Sequence, residues 1–128
     1  MKPTHLKIAV LDDEAPVRKA LERLLRSAGM NVDVYASGAD FLDAIGPSTP
    51  DCLVLDLHMA GLNGFEVQSR LNEIGAPVPV VVITGHDTPE ARARAEVGGA
   101  SAYLLKPVDE EALLDAIASA IQGRQPKH

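Results

Sequence analysis

Residues 52–56 read Cys52-Leu53-Val54-Leu55-Asp56: four apolar residues in succession, then a carboxylate. A run with no polar alternation suits a strand buried on both faces, as in a parallel sheet with helices above and below it. Moving outward, Val78 to Ile83 is a second such run and Lys7 to Leu11 a third. Val32 to Tyr35 and Ala102 to Leu105 complete a set of five short apolar runs.

The segments between them have helical spacing. Ala15 to Ala28 places Val17, Leu21, Leu24, Leu25 and Ala28 on one face, and Arg18, Lys19, Glu22, Arg23 and Arg26 on the other. Pro16 falls where a first-turn proline is tolerated, and Gly29 follows the last turn. A second, short helix is expected over Gly38 to Ile45, ended by the breaker-rich Gly46-Pro47-Ser48-Thr49-Pro50, and a third over Gly64 to Ile74. Asp87-Thr88-Pro89-Glu90 offers a cap, a first-turn proline and an acidic residue to start a fourth, which stops at Gly98-Gly99. The fifth is expected from Asp109 to Gln122, with Leu113, Ile117 and Ile121 as its apolar stripe and Gly123 to His128 as a polar tail. Strand then helix, five times over, predicts parallel strands joined by right-handed crossovers. The expectation is an α/β fold in one domain over 1–128: an open, doubly wound, five-stranded parallel sheet with five helices on its two faces.

Composition narrows the function. Lys plus Arg number 12 against 18 Asp plus Glu, a net charge of −6, which argues against nucleic-acid binding through a basic face. The single cysteine, Cys52, excludes an internal disulfide and reads as a small buried hydrophobe. Met1 to His5 carries no leader pattern, and no apolar run is long enough for a bilayer. A soluble, cytoplasmic protein is expected.

In an open parallel sheet the binding crevice lies beyond the carboxyl ends of the strands. The first run ends in Asp12-Asp13, the third in Asp56, the fourth in Thr84 and the fifth in Lys106. Taken singly, each suits a turn or a solvated surface; four at one edge suit a site. Two carboxylates about 4 Å apart repel by roughly 4 kcal/mol at an effective dielectric near 20, so such a cluster takes up protons or holds a cation. All-oxygen ligands favour magnesium. A cation beside a carboxylate, with a lysine and a hydroxyl at hand, is equipment for phosphoryl transfer, and an aspartate can be the nucleophile.

Leu11-Asp12-Asp13-Glu14, Val54-Leu55-Asp56-Leu57-His58-Met59, Gly64, Ile83-Thr84-Gly85 and Lys106-Pro107, in this order, resemble the response-regulator receiver family over nearly the whole chain. The resemblance implies a flavodoxin-like sheet in the order 2-1-3-4-5, and Asp56 as phosphoacceptor. It implies magnesium, or manganese in its place, held by Asp12, Asp13, Asp56 and the His58 backbone carbonyl. It implies Thr84 and Lys106 as catalytic partners, Thr84 and Tyr103 as the switch pair, and a cis bond between Lys106 and Pro107. The partners implied are a histidine kinase or phosphotransfer protein, and a downstream target or an output domain reached through the face of the fourth helix, fifth strand and fifth helix. Chemistry would be limited to self-phosphorylation and self-dephosphorylation, with no direct nucleic-acid or membrane binding, in a monomer or a weak phosphorylation-dependent dimer. Ala60 stands where the family often has proline. His58 and His86, two residues beyond Asp56 and Thr84, are expected to border the phosphoryl group and tune its lifetime, with a pH dependence near neutrality.

A flavin carrier of the same fold is disfavoured, because Asp12-Asp13-Glu14 would repel a flavin phosphate. No Gly-rich Gly-Lys-Ser/Thr loop supports a P-loop enzyme. A pseudo-receiver that acts only as an interaction module is the alternative from another class. Intact Asp12, Asp13, Asp56, Thr84 and Lys106 argue against it.

Overall fold

The structure is a computed structural model that describes residues 6–45 and 49–124. Met1 to His5, Gly46 to Ser48 and the last four residues of the expected tail lie outside the described residues. Five strands, β1 (Lys7–Leu11), β2 (Asn31–Tyr35), β3 (Cys52–Asp56), β4 (Val80–Thr84) and β5 (Ala102–Leu105), alternate with five helices, α1 (Ala15–Ser27), α2 (Gly38–Ala44), α3 (Gly64–Ile74), α4 (Pro89–Val97) and α5 (Glu110–Arg124). All strand pairs are parallel, as the alternating pattern predicts, and the order is β2-β1-β3-β4-β5, as the family resemblance implies.

The two-residue period of a strand sends alternate side chains to opposite faces. Ile8, Val10, Cys52, Val54, Val81 and Ile83 pack with Leu21 and Leu25 of α1 and Leu113 and Ile117 of α5. Ala9, Leu11, Leu53, Leu55 and Val82 face the other way, onto Phe41 of α2, Val67 and Leu71 of α3, and Ala91 and Ala95 of α4. Both faces are therefore covered, and β3 and β4 are buried along their whole length. That is why these two strands lack polar alternation. β2 is an edge strand, and Val32 is its one buried residue.

Several boundaries differ from the sequence expectation. β4 begins at Val80 rather than Val78. Pro77 and Pro79 have no N–H to give a ladder, and Val78 turns its own N–H onto the Ala76 carbonyl. α5 continues to Arg124, so Gly123 lies in the helix rather than at the start of a tail. Ala28 is exposed as the residue closing α1, while Leu21 and Leu25 carry that helix's burial. Gly29 follows with φ +89°, a conformation that side chains disfavour.

Helix starts follow the local chemistry. Thr88 Oγ1 accepts the Ala91 N–H, and Asn63 with Glu66 forms a reciprocal capping box on α3. The Lys106–Pro107 peptide bond is cis.

Candidate functional site

β1, β3, β4 and β5 all point their carboxyl ends the same way, so the residues that end or follow them converge. Asp12, Asp56 and Thr84 are 0%, 1% and 0% exposed, whereas Asp13 is exposed. Carboxylate oxygens of Asp12, Asp13 and Asp56 lie within 4.8 Å of one another. Lys106 reaches in from the end of β5. Its Nζ is 2.9 Å from Asp12 Oδ2, 2.9 Å from Glu14 Oε1 and 3.6 Å from Asp56 Oδ1. The approach to Asp12 is an ion pair without hydrogen-bond alignment, since Asp12 Oδ2 has no hydrogen-bond donor.

Backbone donors fix the carboxylates. Asp12 Oδ1 accepts the Glu14 N–H at 2.8 Å, and Asp56 Oδ1 accepts the His58 N–H at 3.2 Å. Asp13 Oδ2 accepts the Ala60 N–H at 3.2 Å, which ties the loop after β1 to the loop after β3. Asp56 Oδ2 is buried and accepts nothing. A cleft of about 480 Å³ is lined by Asp13, Glu14, Asp56, His58, Gly85, His86 and Lys106.

Burial raises the Asp56 pKa, and the charge of Asp12 adds to the effect; Lys106 opposes it, and the result is about 6. Burial would lower the pKa of Lys106, but its contacts with Glu14 and Asp12 and the charges of Asp56 and Asp12 raise it. Lys106 therefore stays a cation. A consequence for stability follows for Asp56. Its pKa is raised from the usual 3.8, so the folded chain binds this proton more tightly than the unfolded chain. Stability contributed by that proton is present below about pH 4 and is lost as pH rises through about 6. With magnesium chelated, Asp56→Asn is expected to raise the melting free energy at neutral pH by on the order of 2 kcal/mol. The gain should vanish in melts below about pH 4. A gain independent of pH would contradict this account.

The residues present fit a hard divalent cation. The donors are clustered carboxylates, of which Asp13 and Asp56 line the cleft, and two of the buried oxygens, Asp12 Oδ2 and Asp56 Oδ2, have no hydrogen-bond donor. Histidines are not part of the cluster.

Thr84 Oγ1 accepts the His86 N–H at 3.0 Å. The His58 and His86 rings meet edge to face, 4.8 Å between centroids, along one wall of the cleft. Tyr103 lies against α4 rather than in the acidic cluster. The Arg92 guanidinium sits 4.4 Å from the centre of its ring and 3.5 Å from Asp87. The Tyr103 hydroxyl is buried without a hydrogen bond, and burial, with the Asp87 carboxylate behind it, raises its pKa.

Sequence reasoning missed two features. Glu14 was quoted as part of a motif but given no task, and it is a direct partner of Lys106. Gln68 is a buried polar residue whose Nε2–H donates to the Ala95 carbonyl at 3.0 Å, joining α3 to α4. A glutamate at a helix N-cap is a poor cap, and that mismatch was the one available signal for Glu14.

A doubly wound sheet with acids, a hydroxyl and a lysine at one edge defines a class of small α/β proteins that place an aspartyl site at the strand ends. Residues 8–118 match the model of the response regulator receiver domain, and the chain belongs to that family. Its similarity to the transcriptional regulatory protein FixJ of Azorhizobium caulinodans is 40% identity over 128 residues, covering 96% of this chain and 61% of that protein. With the response regulator protein TodT of Pseudomonas putida it shares 37% identity over 115 residues, 90% of this chain and 51% of the relative. Full-length FixJ from B. japonicum superposes with a TM-score of 0.88 at 37% identity, covering 97% of this chain and 61% of that one. The chain thus spans about half to three fifths of the length of these relatives. Among the described residues no helix is long and apolar enough to cross a membrane.

Proposed function

We propose that Asp56 accepts a phosphoryl group from a histidine kinase or phosphotransfer protein, or from a small acyl phosphate, in a magnesium-dependent reaction that manganese can also support. The observation that carries this reading is Asp56: a residue lining an open cleft, with a buried carboxylate oxygen without a donor, beside a lysine and two further acids. Asp12, Asp13, Asp56 and the His58 carbonyl would hold the magnesium ion, which supplies charge neutralisation for the phosphoryl oxygens when bound. Asp56 attacks phosphorus, and Lys106 balances the charge that arrives with the phosphoryl group. Thr84, at the end of β4, moves to give its hydroxyl hydrogen to a phosphoryl oxygen. The reaction is the protein's own modification and its reversal, not turnover of an external substrate.

The readout proposed is the α4–β5–α5 face, toward a downstream protein or an output domain. Thr84 ends β4 and Tyr103 is its neighbour strand's aromatic, held by Arg92 of α4. Movement of Thr84 toward the phosphoryl group would open space for the Tyr103 ring, and Arg92 would carry that change into α4. This is a shift between two populated arrangements.

The testing measurement is the intact mass after incubation with acetyl phosphate, with and without magnesium. A magnesium-dependent gain of one phosphoryl group supports the reading. No gain under either condition would favour the phosphorylation-independent interaction module. The edge-to-face pair of His58 and His86 lines the same cleft as Asp56, from which water would reach the acyl phosphate. Replacing both with alanine is expected to change the phosphoryl half-life several-fold; an unaltered half-life from about pH 6 to pH 8 would remove them from that role.

A further inference from the structure

Among the described residues Lys106 has three carboxylate partners, Asp12, Glu14 and Asp56. Asp12 and Asp56 belong to the acidic cluster; Glu14 does not. Glu14 is the N-cap residue of α1, yet its side chain makes no capping hydrogen bond. Asp12 Oδ1 accepts the Glu14 backbone N–H, so the Glu14 backbone is held independently of its side chain. The Glu14 carboxylate instead accepts a hydrogen bond from Lys106 Nζ at 2.9 Å, across 92 positions of sequence. It lines the cleft above Asp56 and its side chain is 60% exposed. A unit negative charge therefore stands at the mouth through which a phosphodonor must pass.

We infer that Glu14 is a positioning residue for Lys106 that also selects phosphodonors by charge, slowing small dianionic donors more than less charged ones. The inference rests on the proposed phosphoacceptor role of Asp56. In transfer from acetyl phosphate, an Asp56 oxygen bonds to phosphorus as the bond from phosphorus to the acetyl oxygen breaks. Acetate leaves with that electron pair, and the total charge is the same before and after. Lys106 is needed by the arriving phosphoryl oxygens. With Glu14 in place one ammonium N–H is committed to its carboxylate, and the lysine's charge is shared between that carboxylate and the arriving oxygens. Of its three partners, Glu14 is the one whose charge is not also directed at the cation cluster, so its restraint on Lys106 has no compensating role there. The same charge repels an incoming anion, and this field acts before any contact is made.

The test compares initial rates of phosphoryl gain in the unaltered chain, Glu14→Gln and Glu14→Asp. Each is supplied with magnesium and either acetyl phosphate, a dianion at neutral pH, or phosphoramidate, which carries less negative charge. Glu14→Gln is expected to react about three- to tenfold faster with acetyl phosphate and to gain less with phosphoramidate. Its rate should also depend less on added salt, because one repelling charge is gone. Glu14→Asp keeps the charge but shortens the reach to Lys106, and its acetyl phosphate rate is expected between the other two. Melting temperatures should agree, since the Glu14 side chain caps nothing. If the unaltered chain is phosphorylated and Glu14→Gln matches its rate with both donors, the role of Glu14 is overturned and that of Asp56 stands. Equal acceleration with both donors overturns the charge selection. No phosphoryl gain in any of the three proteins overturns the Asp56 reading, and this inference with it.

Discussion

Asp56→Ala, incubated with acetyl phosphate and magnesium, is expected to keep its intact mass while the unaltered chain gains one phosphoryl group. The expected loss is at least about hundredfold in initial rate, the scale seen when a covalent nucleophile is removed. The neighbouring acids are poorly placed to substitute. Asp12 is fully buried, with one oxygen on the Glu14 N–H and the other facing Lys106. Asp13 is exposed and tied to the Ala60 N–H. Asp56 alone combines burial, an oxygen without a donor, and a cleft leading to it. Its pKa near 6 leaves it ionised, and hence nucleophilic, at neutral pH. A phosphoryl group found on Asp56→Ala at the unaltered rate would move the site to another residue and undo the assignment.

Gly64→Ala is expected to destabilise the fold by about 2–4 kcal/mol and to slow the phosphoryl gain with it. Gly64 opens α3 and its N–H bonds the Leu57 carbonyl at 3.1 Å. A methyl group there would lie 2.7 Å from the Asp56 carbonyl oxygen and 2.7 Å from Leu57 Cα. Both are backbone atoms, so no rotamer change relieves the overlap, and packed interiors give way only at a cost. The start of α3 must back away from the end of β3, the stretch that aims Asp56. A melting temperature lower by roughly 8–15 °C would follow for a domain of this size. Gly85→Ala is the control for stability. Its added methyl would meet only Lys106 Cδ, at 3.9 Å, and should shift stability by less than about 0.5 kcal/mol. Similar melting temperatures for both variants would refute the close-approach argument.

The repeat of strand and helix was legible because burial on two faces writes itself along the chain. Cys52 to Leu55 and the valines of β4 read as central strands and the crossover rule made the sheet parallel, while the order 2-1-3-4-5 came with the family resemblance of the motifs. Boundaries were less legible where a local signal competed with apolar character. Val78 looks like strand, but the prolines on either side of it remove the donors a ladder needs. Gly123 looks like a helix stop, yet α5 runs on through it to Arg124. The candidate site was legible as a set of positions after strands, since topology alone brings strand ends together.

By itself the sequence determined the alternation of elements, the parallel sheet and the gathering of Asp12, Asp13, Asp56, Thr84 and Lys106 at one edge, because hydrophobic period and connection handedness are local rules; the order of the strands it carried only through the likeness of its motifs to a family. Tertiary structure decided everything that depends on distances between remote residues. It buried Asp12 and Asp56 while leaving Asp13 in solvent, and so raised one carboxyl to about 6. It set Glu14 on Lys106, Arg92 on Tyr103 and Gly64 against the backbone of Asp56. These are matters of desolvation, Coulomb interaction and close packing, which act through space between atoms that no spacing along the chain relates.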